Sequence, residues 1–169
     1  MSDYAQERAR ELTLLTRNAL RELPAVCSDF VRAIEPTTQP LTRYAYVCDL
    51  KLFFHFLTSE CPRFADKSIA LITPDDLNGV TTRDLHIYME YLGLYMKGSD
   101  EISNAELGKM RKLASLRSFY KYMFKNELIQ ADVAQLIDMP KRHEKPILRM
   151  EIDEVARMLD LVESGEGMS

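Results

Sequence analysis

Gly108, Arg111, Ser115, Ser118, Tyr122 and Lys125 recur at steps of three and four residues, the spacing that gathers side chains on one face of an α-helix. Lys112 lies near one edge of this row and Lys121 near the other. Arg and Lys neutralise phosphates, Ser and Tyr donate to phosphate oxygens or base edges, and small side chains let a second surface come close. Such a set suits contact with nucleic acid. Between residues 103 and 125 six basic residues meet one acid, Glu106. A merely solvated face usually alternates its signs, so the imbalance points to a polyanionic partner, with an acidic protein surface as the alternative. A weaker row, Tyr44, Cys48, Lys51 and His55, with Arg43 near its start, falls in 42–59.

Other chemistry finds no foothold. Tyr88 and Tyr120 sit on apolar stripes, and a phenol nucleophile needs activation and cations around the reacting phosphate. His143-Glu144 lacks the second histidine of a zinc-protease helix, and the cysteines and histidines have no metal-like spacing. Six glycines form neither a P-loop nor a dinucleotide fingerprint. The sequence therefore predicts no catalytic residue, metal, cofactor or small-molecule substrate.

The elements that position these rows read as helix after helix. Residues 3–22 are rich in Ala, Glu, Arg and Leu, all good helix formers. Pro24 suits the first turn of a second helix over 24–34, which ends before a linker at 35–40. Thr42 is placed to cap a third, to Ser59, with Tyr46, Val47, Leu50, Phe53, Phe54 and Leu57 at helical spacing. After a loop over 60–72, Thr73-Pro74-Asp75-Asp76 starts a short helix that breaks at Gly79. Thr81 and Asp84 resemble a capping box opening a helix through Lys97, with the stripe Leu85, Tyr88, Met89, Leu92, Tyr95 and Met96. Ser103 is expected to cap a helix to about Asn126, its core face formed by Leu113, Leu116, Tyr120, Met123 and Phe124. A short helix near 131–138, an extended basic linker over 139–147 and an amphipathic segment over 151–163 complete the chain. No strand signal is found, and the fold class is all-α: a compact bundle of four main helices, additional N-terminal helices and a short C-terminal one.

The 169 residues carry 46% hydrophobic side chains, enough for a core. Three cysteines without a CxxC pair suit a reducing compartment, no run reaches the about 20 apolar residues of a membrane span, and the charged N-terminus lacks a signal-peptide pattern. A cytoplasmic protein is expected. The net charge of −4 conceals an uneven distribution. Residues 103–149 hold 10 basic and 5 acidic groups, whereas 150–169 hold 1 and 6.

The series Thr42-x3-Tyr46-x2-Asp49-Leu50-x2-Phe53-x2-Phe56-Leu57 resembles the opening of the core-binding domain of tyrosine recombinases, the phage-integrase and Xer-type family. RKLASLRSFYKYMFKNELI (111–129) resembles that family's second signature, and MPKRHEKPI followed by EIDEVARML (151–159) its interdomain linker and first catalytic-domain helix. The resemblance implies an N-terminal extension over 1–35, a SAM-like core-binding domain over 36–138, a linker over 139–150 and the start of a truncated catalytic domain over 151–169. It implies that double-stranded DNA of a recombination site is the partner, with other recombinase protomers joining in a synaptic complex. Arg43, Tyr44 and Lys51 would lie on one groove-facing helix, and Arg111, Lys112, Ser115, Ser118, Tyr122 and Lys125 on the other. Lys141, Arg142 and Lys145 would track the DNA backbone. Arg117 matches the signature arginine but falls on the helix flank, where it is placed to brace the fold. Strand-transfer chemistry would belong to the catalytic domain.

Overall fold

Helix starts follow from local chemistry. In the computed structural model, which describes residues 2–139, Ser2 accepts a hydrogen bond from the Ala5 N–H and opens α1 (Asp3–Leu20). Pro24 flanks α2 (Ala25–Ile34). The third helix, α3 (Pro40–Glu60), begins two residues before Thr42, because Pro40 supplies a preset φ in the first turn; Thr42 is inside the helix and does not cap it. Thr73 and Thr81 both form full capping boxes, with Asp76 at the start of α4 (Pro74–Leu77) and Asp84 at the start of α5 (Thr82–Gly93).

Past Gly93 the structure departs from the expected helix. Leu94 is extended, and Tyr95–Lys97 (β1) pairs antiparallel with Asp100–Ile102 (β2). Gly98 adopts φ 64° in the connecting turn, a conformation glycine enters at little cost. The Tyr95 ring stacks on Tyr91 at 5.1 Å between centroids. Met96, expected on the core stripe, is 59% exposed on β1. Apart from this hairpin the described residues are all-α.

The last long helix, α6 (Glu106–Lys125), follows Ala105, and no side chain caps it; Ser103 lies too early to do so. Beyond its C-terminus Glu127 takes φ 59°, and the Leu128 and Glu127 N–H groups donate back to Met123 and Phe124 carbonyls at 2.9 and 3.1 Å. This left-handed closure satisfies carbonyls that the helix itself leaves open. Residues Val133–Leu136 form a 3-10 turn where a short helix was expected, held by Asp132.

Aromatic side chains tie these helices together. Phe30 of α2 meets Phe119 of α6 at 5.4 Å, and Phe53 of α3 meets Tyr88 of α5 at 5.2 Å. The buried Tyr120 hydroxyl donates to the Leu77 carbonyl. Leu23, Val26, Cys27 and Phe30 belong to the same core as α3, α5 and α6, so the N-terminal segment shares one hydrophobic interior with the rest of the described residues. Full burial of each such side chain is worth about 1.5–3 kcal/mol. Lys141, Arg142, Lys145 and the segment 151–163 lie outside the described residues.

Candidate nucleic-acid interface

The side of α6 turned to solvent is not quite the one that residue types suggest. Phe119, absent from the expected core face, is fully buried, whereas Phe124 is 47% exposed. The helix is therefore turned by about half a residue step relative to the expected wheel. Gly108 and Ser115 of the predicted contact row point inward. A side-chain carbon at Gly108 would come within 2.8 Å of Asn104 Oδ1, so this glycine serves close packing. Ser115 is 1% exposed and donates to Asp49 Oδ2 of α3 at 2.5 Å. A hydroxyl so enclosed cannot reach a phosphate.

The outward row is Leu107, Arg111, Ala114, Ser118, Lys121 and Lys125. Arg111 and Ser118 are half-buried, while Lys121 and Lys125 are exposed. Ala114 and Ser118 keep the middle of the row low, which admits a close-fitting surface. Lys125 sits in the last turn, where the helix dipole favours a cation. Tyr122 leans to one side: it is half-buried, its ring lies 5.7 Å from Phe30, and burial pushes its phenol above the usual range. On the opposite flank Arg117 donates to the Ala134 and Ile137 carbonyls, bracing the segment after α6 as the helical wheel indicates.

Near its N-terminus this row meets a cluster of cations drawn from three elements. Lys51 of α3 and Lys97 of β1 act electrostatically on Cys48, while Arg111 and Lys112 of α6 act on Asp49. Lys112 is half-buried and donates to Asn104 Oδ1 at 3.2 Å. Its desolvation lowers the ammonium pKa, against which Asp49 pulls upward. Lys51 pairs with Glu22 at 3.0 Å with both side chains largely exposed, an ion pair worth little and easily exchanged. Lys97 was missed by the sequence because its place in this cluster depends on the hairpin.

The other residues expected on α3 have inward or local tasks. Tyr44 is buried; burial first, and then the neighbouring Cys48, push its pKa up to about 12. Arg43 donates to the Thr38 and Glu35 carbonyls at 2.5 and 3.2 Å and so holds the turn before α3. His55 is exposed one turn beyond Lys51. Among the described residues no group of His, Cys, Asp and Glu could hold a metal ion, and no helix is long and apolar enough to cross a membrane.

A tyrosine recombinase XerC from Caldanaerobacter subterraneus is 29% identical over 131 residues, covering 73% of this chain and 35% of that protein. The XerC tyrosine recombinase of Pelobacter propionicus is 27% identical over 126 residues, 75% of this chain and 36% of its own. That of Pediococcus pentosaceus is 32% identical over 101 residues, 60% and 28% of the two chains. The chain is related to the tyrosine recombinases. It spans about a third of the length of the tyrosine recombinases it matches. No family model matches the chain, and no solved structure gives a significant match.

Proposed function

We propose that the described residues are the duplex-binding module of a site-specific recombinase, the core-binding half of a clamp on a recombination site. The observation that carries this reading is the convergence of Lys51, Lys97, Arg111 and Lys112 at one end of a row that continues to Lys121 and Lys125. α6 is the element offered to the major groove. Arg111 and Ser118 are assigned to base edges, and Lys121 and Lys125 to phosphates. Lys141, Arg142 and Lys145 are assigned to the DNA backbone, and further protomers to the synaptic assembly, on the family relationship alone. Ser115, Tyr44 and Arg43 are assigned to the scaffold. No strand-transfer step is assigned to the described residues: burial holds the Tyr88 and Tyr120 phenols well above the usual range, the wrong direction for a nucleophile.

Selection from a pool of random duplexes, followed by sequencing, tests the reading. The wild-type chain should enrich a short motif with micromolar or weaker affinity at physiological salt. Arg111→Ala should lose the enrichment. Lys121→Ala/Lys125→Ala should weaken all duplexes alike and reduce the salt slope by about 1 for each phosphate that goes unneutralised. Absence of duplex binding even at low salt would sink the reading, leaving a helical interaction domain whose basic face meets an acidic protein.

A further inference from the structure

Asp49 belongs to the first of the two signature-like segments, yet a carboxylate beside a phosphate-binding face opposes binding by its charge alone. Its surroundings give it another task. Its carboxylate accepts the Ser115 hydroxyl at 2.5 Å, a bond that joins α3 to α6 through residues 66 positions apart. Lys112 and Arg111 of α6 face it electrostatically, as do Tyr88 of α5, Tyr95 of β1 and its helix neighbour Cys48. Lys112 is held from its other side by Asn104 Oδ1 at 3.2 Å, and Asn104 is itself fixed, its Nδ2 donating to the Leu92 carbonyl at 2.9 Å. The amine is thus hydrogen-bonded to an anchored amide and attracted by the Asp49 carboxylate.

We propose that Asp49 is a positioning residue, which through Ser115 and Lys112 sets the basic edge of α6 against α3 in the orientation that receives a phosphate. The proposal rests on the duplex-binding reading for its purpose, though not for its geometry. Charge and position predict opposite outcomes. Removing an acid from a cationic face strengthens binding to a polyanion if charge alone matters. If Asp49 positions the edge, its neutralisation weakens binding.

Two readouts separate the possibilities. In the first, lysines are acylated at mildly alkaline pH and their rates followed by mass spectrometry, since each rate tracks the free-amine fraction. In Asp49→Asn, Lys112 loses the anion that holds its proton and should acylate at least about threefold faster, equivalent to roughly half a pKa unit. Lys121 and Lys125, exposed in either case, should keep wild-type rates, and half-buried Lys109 should do so too unless the fold loosens as a whole. In the second, affinity for a short random-sequence duplex at fixed salt should fall at least about threefold in Asp49→Asn, against the charge change. Ser115→Ala keeps the carboxylate and removes its donor, so it should lower affinity without altering net charge, and it carries this arm if Asp49→Asn does not fold. An unchanged Lys112 rate, or duplex affinity that holds or rises, overturns the proposal. If the wild-type chain binds no duplex, the proposed function falls, and the Lys112 rate alone decides whether Asp49 holds that amine.

Discussion

Phe119 bears no charge, yet its burial decides which side of α6 meets solvent. It touches Phe30, Phe54 and Tyr120 ring to ring, and moving it outward would leave a cavity at the junction of three helices. Phe119→Ala should lower stability by about 3–5 kcal/mol in urea denaturation. Phe124→Ala, on the exposed side, should change it by about 0.5 kcal/mol or less. Equal effects would mean that the helix is rotated otherwise. This rotation was not legible in residue types alone. Ser115 reads as a surface donor because its acceptor, Asp49, is distant in sequence and nothing local announces the pairing. Lys121 and Lys125 were legible as cations of an acid-poor face, and Arg117 as a brace, because helical spacing alone places them.

At the scale of elements, local chemistry set the starts of α4 and α5 correctly, since a Thr three residues before an Asp satisfies backbone groups with no help from the rest of the fold. The hairpin was hidden because Tyr95 and Met96 continue the apolar spacing of α5, while the stack on Tyr91 and the turn at Gly98 overrule that spacing. The capping boxes also carry a pH signature. Asp76 is held below the ordinary carboxylate range, first by the Thr73 N–H and, against the opposing effect of burial, also by Lys67 and the Thr73 hydroxyl. For Asp84 burial pushes upward, but the Thr81 N–H and hydroxyl together with Arg63 outweigh it, and the net shift is downward. A carboxylate with a lower pKa in the folded state stabilises the fold above its unfolded pKa, and that contribution is lost as pH falls through the folded value. Asp84→Ala should therefore cost about 1 kcal/mol at neutral pH, and its gap from wild type should close in acid, as read by urea denaturation across pH. A gap that persists unchanged below the carboxylate range would refute the assignment. Asp49 runs the other way. Burial raises its pKa despite Lys112, Ser115 and Arg111, so its contribution is fully present below the unfolded pKa and fades as pH rises through the folded one.

For the whole molecule, a pI near 5.5 and a net charge of −4 give no hint of a cationic surface. Segment-by-segment counting reveals the basic stretch, but the cluster itself exists only after folding, when positions 51, 97, 111 and 112 converge. Bringing like charges together has an energetic consequence for the fold. Arg111 repels its neighbour Lys112, while Glu22 pairs with Lys51 and Asp49 attracts Lys112, so the repulsion left over after these acids opposes folding and the unfolded chain escapes most of it. Dissolved salt screens it. The melting temperature should therefore climb with ionic strength over the same range in which duplex affinity declines, and a polyanion of no particular sequence should raise it at low salt by occupying the folded state alone. On the proposed duplex-binding reading, an arriving anion relieves what is left of the repulsion that folding gathers at this edge.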